Sequence, residues 1–255
     1  MDIRLYALLV IYNRRCEDSP SCEALKRLPQ ARVLVVDNST TANENARYCA
    51  RRGFGYVTMG GNKGLAKAYN RGIEWIKKNT TATHVLLLDD DTDVPEGYWD
   101  SMEASLARHP DKQIALPRVY DEKGLLSPCA VNGLRVTRIE DPASLTRDTI
   151  TAINSGMVLD IKLFKDYAYD EGYFLDYIDH AFMRDMKARG VSFLITEATL
   201  KQRFAGNQRG NKRAAKVRLR IFKSDFRRFC GRSFQGRLTA TATIWRRRLK
   251  LMLSR

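Results

Sequence analysis

The chain has 255 residues, a formal net charge of +15 and 44% hydrophobic side chains. This composition excludes a wholly disordered, collagen-like or low-complexity protein, and no apolar run approaches the ~20 residues that a transmembrane helix needs. The charge is uneven, because residues 201–255 contain 18 basic side chains and one acid. Five cysteines without a CxxC spacing favour a reduced, cytoplasmic setting and disfavour a zinc site.

The first hundred residues alternate strand-like and helix-like segments. Apolar, β-branched runs predict strands at residues 5–12, 32–36, 54–59 and 84–88. We interpret the first of these as a buried strand, not a secretory signal. Helices are predicted between the strands, at residues 22–28, 43–52 and 65–76. This order predicts an α/β fold with a mainly parallel sheet flanked by helices.

The later residues give a weaker pattern. Helices are predicted at residues 100–108 and 178–189, and a loop at 141–148. Strands are predicted at residues 114–120, 133–139, 153–159 and 191–196.

The tail, residues 201–255, contains two basic amphipathic segments. Their apolar side chains are Val217, Ile221, Phe222, Phe226 and Phe229 in the first, and Ile244, Trp245, Leu249, Met252 and Leu253 in the second. Such helices are typical of elements that lie on an anionic membrane surface. A solvated face packed on the body and an RNA-binding arm are the alternatives.

Three consecutive acids, Asp89, Asp90 and Asp91, follow an apolar strand. Carboxylates gathered there are unfavourable unless a positive group binds. In a turn that leaves a strand, Asp89 and Asp91 are spaced to converge on Mg²⁺ or Mn²⁺, which would neutralise a departing diphosphate. The alternative is a solvated acidic turn. Asp37 ends another strand, and ligands bind at such strand ends in parallel sheets.

Two further segments carry candidate site residues. Residues 60–64 read Gly-Gly-Asn-Lys-Gly before a predicted helix, which favours either close approach to an anionic ligand or a tight turn with Asn62 as helix cap. Asp176 and Asp179 lie at the start of the helix predicted at 178–189. They are either a general base or ordinary acids at a helix start. His180 alone is more typical of a packing histidine.

Taken in order, these segments resemble the family 2 glycosyltransferases, which have the Rossmann-like GT-A fold. Within the family they are similar to rhamnosyltransferase-like and galactofuranosyltransferase-like members. The matching pieces fall between residues 5 and 205, at residues 9–13, 35–39, 61–66 with Asn70 and Gly72, 88–92, 154–156 and 174–179.

The resemblance implies an inverting transfer of a sugar from a nucleotide-diphosphate donor, a UDP- or dTDP-sugar. The acceptor would be a hydroxyl of a glycan or lipid-linked intermediate in bacterial surface polysaccharide synthesis. Asp89 and Asp91 would bind Mn²⁺ or Mg²⁺, and Asp179 would be the base, with Asp176 as the alternative. The donor would be held by Tyr12, Asn13, Asp37, Asn62, Gly64 and Asp90.

Two positions depart from the family pattern. Ala181 stands where an acid often follows the base, and the segment after the last core strand lacks the histidine that many members give to the metal. Gln202 or a water would take that place, or the dependence on metal would be weaker.

The sequence therefore predicts a catalytic domain at residues 1–200, and a tail at 201–255 that serves as a membrane-surface or acceptor-side element. The protein is expected at the inner face of the cell membrane. A nucleic-acid-binding protein that uses its basic tail is the alternative outside enzymes, and nucleic acid is the less favoured partner. A sugar nucleotidyltransferase is disfavoured because residues 1–20 contain no glycine.

Overall fold

The computed structural model describes residues 3–27, 32–202 and 212–253. Its strands are β1 (Leu5–Ile11), β2 (Arg32–Asp37), β3 (Gly55–Thr58), β4 (His84–Asp89), β5 (Thr92–Asp93), β6 (Ile114–Asp121), β7 (Gly124–Ser127), β8 (Cys129–Asn132), β9 (Arg135–Thr137), β10 (Ile150–Thr151), β11 (Val158–Asp160) and β12 (Phe193–Gln202). Its helices are α1 (Pro20–Leu25), α2 (Asn45–Arg52), α3 (Leu65–Asn79), α4 (Tyr98–Arg108), α5 (Ile178–Ala188), α6 (Lys212–Cys230) and α7 (Phe234–Leu253).

The main sheet has the strand order β3-β2-β1-β4-β11-β6-β12-β5, with β7 beside β6. Strands β3, β2, β1 and β4 are parallel, whereas β11 lies antiparallel between β4 and β6. The predicted α/β fold is confirmed, with parallel pairing in the amino-terminal half and mixed pairing in the other half. The carboxyl ends of β1, β2 and β4 meet at one edge, and the candidate site residues follow them.

Both faces of the sheet are covered by helices. Side chains alternate along β1, so Leu8 and Val10 pack towards α3, α5 and α6, whereas Ala7 and Leu9 pack towards α1, α2 and α4. Burial on both faces explains why the strands of this half read as continuous apolar runs.

The predicted amino-terminal elements are confirmed to within about three residues, although residue 28 lies outside the described residues. The strand predicted at 153–159 is wrong over most of its length. Its first residues form a turn in which the Gly156 N–H donates to the Leu87 carbonyl at 2.7 Å, and only Val158–Asp160 pairs as a strand. The strand predicted at 133–139 shortens to β9, which pairs with β8 in a small separate sheet.

The two tail helices differ in their packing. In α6, Phe222, Phe226 and Phe229 are buried in the core that α3 and α5 share. Tyr177, just before α5, stacks on Phe229 with 4.8 Å between ring centroids. The alternative of a helix packed on the body therefore describes α6. None of the described helices combines the length and apolar character that crossing a bilayer demands.

Candidate active site

The acidic turn, residues 89–91, is held by neighbouring hydroxyl groups. Ser21 Oγ donates to the Asp89 carbonyl oxygen at 2.5 Å, and Ser19 Oγ donates to the Asp90 carbonyl oxygen at 2.8 Å. On the other side, the buried hydroxyls of Thr92 and Ser155 lie 2.7 Å apart. These contacts fix the backbone, so the direction of each carboxylate is set by the fold.

Asp89 and Asp91 face a common point. The Gln202 side-chain amide Nε2 lies 3.4 Å from a carboxylate oxygen of each. Burial raises the pKa of Asp89 to about 7, with further contributions from the charges of Asp91, Asp90 and Asp179. This concentration of negative charge favours binding of a cation.

The donor set fits a hard divalent metal. In the part of the chain that the structure describes, Gln202 Oε1 is buried without a hydrogen-bond partner, and it lies on the amide that bridges the two acids. Residues 3–27, 32–202 and 212–253 contain no arrangement of three His, Cys, Asp or Glu side chains suited to a metal. The fit therefore consists of two carboxylates, joined by one amide oxygen when the Gln202 amide is turned so that Oε1 takes the place of Nε2. Mg²⁺ commonly takes its remaining ligands from substrate phosphates and water.

Asp90 points to the end of β1 instead. Its carboxylate accepts the Tyr12 backbone N–H at 3.2 Å and lies 3.3 Å from Arg14 Nε. Burial raises the pKa of Asp90, while these two donors partly oppose the effect. Asp90 therefore ties the acidic turn to the segment that carries Tyr12.

Asp37 organises the loop after β2. Burial acts to raise its pKa, but hydrogen bonds from Ser39, Asn45 and Asn43 outweigh burial and hold the pKa below its ordinary value. Ser39 in turn accepts the Asn13 backbone N–H at 2.8 Å. Ser39 thus links Asp37 at the end of β2 to Asn13 in the segment after β1.

The glycine-rich turn before α3 packs under the segment that precedes α5. Asn62 Oδ1 accepts from the side-chain amide of Asn38 and from the backbone N–H of Gly64, both at 3.1 Å. The alternative in which Asn62 caps α3 is wrong, because Gly64 occupies the N-cap position. Gly64 has φ +92°, and a Cβ there would lie 3.0 Å from the Phe174 ring.

The two candidate bases have different surroundings. Asp179 lies in the first turn of α5, accepts the His180 backbone N–H at 2.8 Å, and is one of the charges that act on Asp89. Asp176 is held in a bidentate ion pair by Arg218 of α6, with Nη2 2.6 Å from Oδ1. The His180 ring contacts Thr151 Oγ1 at 2.8 Å, as expected of a packing histidine.

A cleft of about 590 Å³ connects several of these segments. Tyr12, Asn62 and Asp89 line it together with Phe174 and side chains of α6. Its complete lining is Val10, Tyr12, Asn38, Asn62, Leu65, Asp89, Phe174, Leu175, Ala214, Val217, Arg218 and Ile221. Asp91 lines a neighbouring cavity of about 410 Å³ with Arg14 and Ser19. Asp37, Asn13 and Asp179 lie outside both linings.

The sequence model of the family described as Glycosyl transferase family 2 matches residues 8–168, more than half of the chain. The chain belongs to glycosyltransferase family 2. The matched range includes most of the first strand, the glycine-rich turn and the acidic turn, whereas Asp176, Asp179 and Gln202 lie beyond it.

This glycosyltransferase has a similar curated relative, the dTDP-rhamnosyl transferase RfbF of Shigella flexneri. The two are 27% identical over 188 residues, which are 70% of this chain and 62% of the relative. Two solved structures share the fold. TarS 1–349 of S. aureus matches with a TM-score of 0.55 and 16% identity, over 88% of this chain and 65% of that one. The Pyrobaculum calidifontis mannosyltransferase PcManGT, in complex with GDP-Man and Mn²⁺, matches with a TM-score of 0.58 and 14% identity, over 94% and 69%.

Sequence reasoning about the glycosyltransferase missed the residues that support the site. Ser19 and Ser21 give no recognisable pattern, because their role depends on contacts between distant segments. Ser155 lies in a segment that matches the family pattern, but its contact with Thr92 was not predicted. Arg218 and Asp225 were also missed as site neighbours. Asp225 had a detectable signal, since it is the single acid among residues 201–255.

Proposed function

We propose that this glycosyltransferase transfers a sugar, with inversion, from a nucleotide-diphosphate donor to a hydroxyl of a glycan or lipid-linked acceptor in surface polysaccharide synthesis. The main support is the convergence of Asp89, Asp91 and the Gln202 amide at the carboxyl edge of the sheet. The RfbF relative favours a dTDP-sugar, with a UDP-sugar as the alternative donor.

One set of residues would bind the donor and its metal ion, and a separate residue would activate the acceptor. Tyr12, with Asn13 and the Asp37 loop, would hold the nucleoside, and the turn at Asn62 and Gly64 would lie along the donor. Asp89 and Asp91, with Gln202, would hold Mn²⁺ or Mg²⁺. When bound, this ion supplies charge neutralisation for the leaving nucleotide diphosphate.

Asp179 would accept the proton of the acceptor hydroxyl. A base must be free to take that proton, and both carboxylate oxygens of Asp176 are instead occupied by the Arg218 guanidinium. Asp179 is partly exposed and acts electrostatically on Asp89, so it is the better candidate.

The Asp179→Asn variant tests this assignment. General-base catalysis contributes about 10²–10⁴-fold to rate, so sugar transfer should fall by at least about 100-fold while the donor dissociation constant stays within about twofold. Asp185→Asn is the matched control, since Asp185 lies on the same helix and accepts from Tyr167 instead. Transfer at the wild-type rate by Asp179→Asn would remove the residue from its role.

We also propose that α7 lies on an anionic membrane surface. Phe234, Leu238, Trp245 and Met252 share one helix face and are all more than half exposed, between 56% and 78%. Exposed arginines, Arg237 and Arg248, border this face. Apolar burial and attraction to anionic lipids act together in such helices, and each basic side chain adds about 1 kcal/mol near the surface.

Flotation with vesicles tests the membrane proposal. The protein should float with phosphatidylglycerol-containing vesicles. With pure phosphatidylcholine vesicles it should stay unbound at the bottom of the gradient. Trp245→Ser keeps the charge and should reduce flotation several-fold, whereas Lys223→Gln on α6 should have a small effect. Equal flotation of Trp245→Ser and wild type would contradict the use of this face. Salt-sensitive binding to RNA with no flotation would support the nucleic-acid alternative.

A further inference from the structure

Asp225 of α6 is a buried acid in a strongly basic tail. Its side chain is completely inaccessible to solvent, and it is the single acid among residues 201–255. Oδ1 accepts the Phe174 backbone N–H at 3.0 Å, and Oδ2 accepts the N–H groups of Leu175 and Asp176, both at 2.8 Å. A buried carboxylate is costly unless it is hydrogen-bonded, and here three consecutive backbone donors satisfy it.

The same segment, residues 174–176, is held from the opposite side. The Phe174 carbonyl oxygen accepts the Leu65 backbone N–H at 2.7 Å, and the Phe174 ring packs against Gly64. The segment therefore lies between the glycine-rich turn of the donor side and the Asp225 carboxylate. Phe174 and Leu175 both line the cleft that contains Asp89.

The residues that follow lead directly to Asp179. Tyr177 has φ +62°, occupies the N-cap of α5 and accepts the Ala181 N–H through its carbonyl at 2.9 Å. Its ring packs against Phe226 and Phe229 of α6, with centroid distances of 5.0 and 4.8 Å. Helix α6 thus fixes the start of α5 by two kinds of contact, hydrogen bonds before Tyr177 and ring packing at Tyr177.

We propose that Asp225 is a positioning residue for sugar transfer. This proposal rests on the proposed function. In it, helix α6 orients residues 174–176 and, through Tyr177, the Asp179 carboxylate. Asp225 itself touches neither donor nor acceptor. Its loss should therefore reduce the turnover of bound substrates more than it weakens donor binding.

The test compares two full-length variants, Asp225→Asn and Ala240→Gly. Asp225→Asn keeps the side-chain size but replaces one carboxylate oxygen by an N–H donor that faces other donors. Ala240 is buried in α7, and glycine there weakens the tail helix through its low helix propensity. Both are assayed well below their melting temperatures.

For Asp225→Asn, kcat should fall at least tenfold while KM for the donor changes less than threefold. Ala240→Gly should lower the melting temperature and keep kcat within about twofold of wild type. A wild-type kcat for Asp225→Asn, or an equal loss in Ala240→Gly, would overturn the proposal.

Hydrogen exchange of the wild-type protein keeps the proposal testable if Asp225→Asn does not fold. The amides of residues 174–176 should exchange at least 100-fold more slowly than unprotected amides, and exchange at the unprotected rate would overturn the proposal. If the proposed function itself is wrong, the wild-type protein will transfer no sugar although these amides remain protected from exchange.

Discussion

Replacing Gly64 by alanine tests how closely the glycine-rich turn is packed against Phe174. Gly64 has φ +92° and ψ 158°, a region that is essentially restricted to glycine, and occupying it costs other residues about 1–3 kcal/mol. The new Cβ would also lie 3.0 Å from the Phe174 ring and 3.1 Å from its carbonyl oxygen. Because that carbonyl accepts from Leu65, Phe174 has little freedom to move away.

The two effects add to a sizeable loss of stability. Strain of about 2 kcal/mol and overpacking of about 1–3 kcal/mol give roughly 3–5 kcal/mol in the free energy of unfolding. For a chain of this size, each kcal/mol lowers the melting temperature by about 2–4 °C, so a decrease of roughly 6–20 °C is expected. Donor binding and transfer should both weaken, since Phe174 lines the cleft.

Gly53→Ala is the matched control. Gly53 ends α2 in the left-handed conformation, with φ +69° and ψ 21°, and a Cβ there would have nothing within 4 Å. Gly53→Ala should lower the free energy of unfolding by about 1 kcal/mol, because the left-handed backbone conformation is its one unfavourable feature. Chemical denaturation and thermal unfolding of both variants measure the difference. Equal destabilisation by the two substitutions would refute the argument that Gly64 is required by contact with Phe174.

Three further predictions concern pH, thiols and metal. The Arg138 side chain lowers the pKa of Asp121 to about 2. The ionised Asp121 therefore stabilises the folded protein above the ordinary pKa near 4, and this stabilisation is lost as the pH falls towards 2. Asp121→Asn should therefore be less stable than wild type at pH 7, and the gap in urea unfolding should narrow by pH 3; a constant gap would contradict the pairing. All five cysteines are buried, and the pKa of Cys16 is raised to about 12, so Ellman's reagent should label none in native protein and five after unfolding. Labelling of native protein within minutes would contradict this burial. Mn²⁺ should raise the melting temperature of wild type and have little effect on a variant with both Asp89→Asn and Asp91→Asn, and an equal shift in both would exclude this metal site.

The amino-terminal half was predictable because its signals are local. Strands such as residues 84–88 are continuous apolar runs, and α3 follows a clear helical period. Acids at strand ends can be located once a parallel sheet is inferred, so spacing was enough to propose Asp89 and Asp91 as a candidate pair. The position of Asp179 relative to them came from the family resemblance.

The carboxyl-terminal half was harder because its contacts are non-local. The antiparallel strand β11 follows a turn at residues 154–156, and its place between β4 and β6 depends on pairing with segments distant in sequence. The apolar face of α6 has the same periodicity whether it meets lipid or the protein core. Local sequence patterns do not predict that α6 stacks on Tyr177 or that Asp225 accepts hydrogen bonds from residues 174–176.

The contact between Asp225 and Phe174 spans 51 residues of sequence, which has a consequence for synthesis. At translation rates of about 5–20 residues per second, the ribosome adds α6 roughly 3–10 s after the loop that it holds. During that interval Tyr177 lacks its aromatic partners and Leu175 lacks its hydrogen-bond acceptor. The nascent chain thus passes through a period when residues 174–177 have been synthesised but lack the hydrogen-bond acceptor and the ring contacts that α6 supplies.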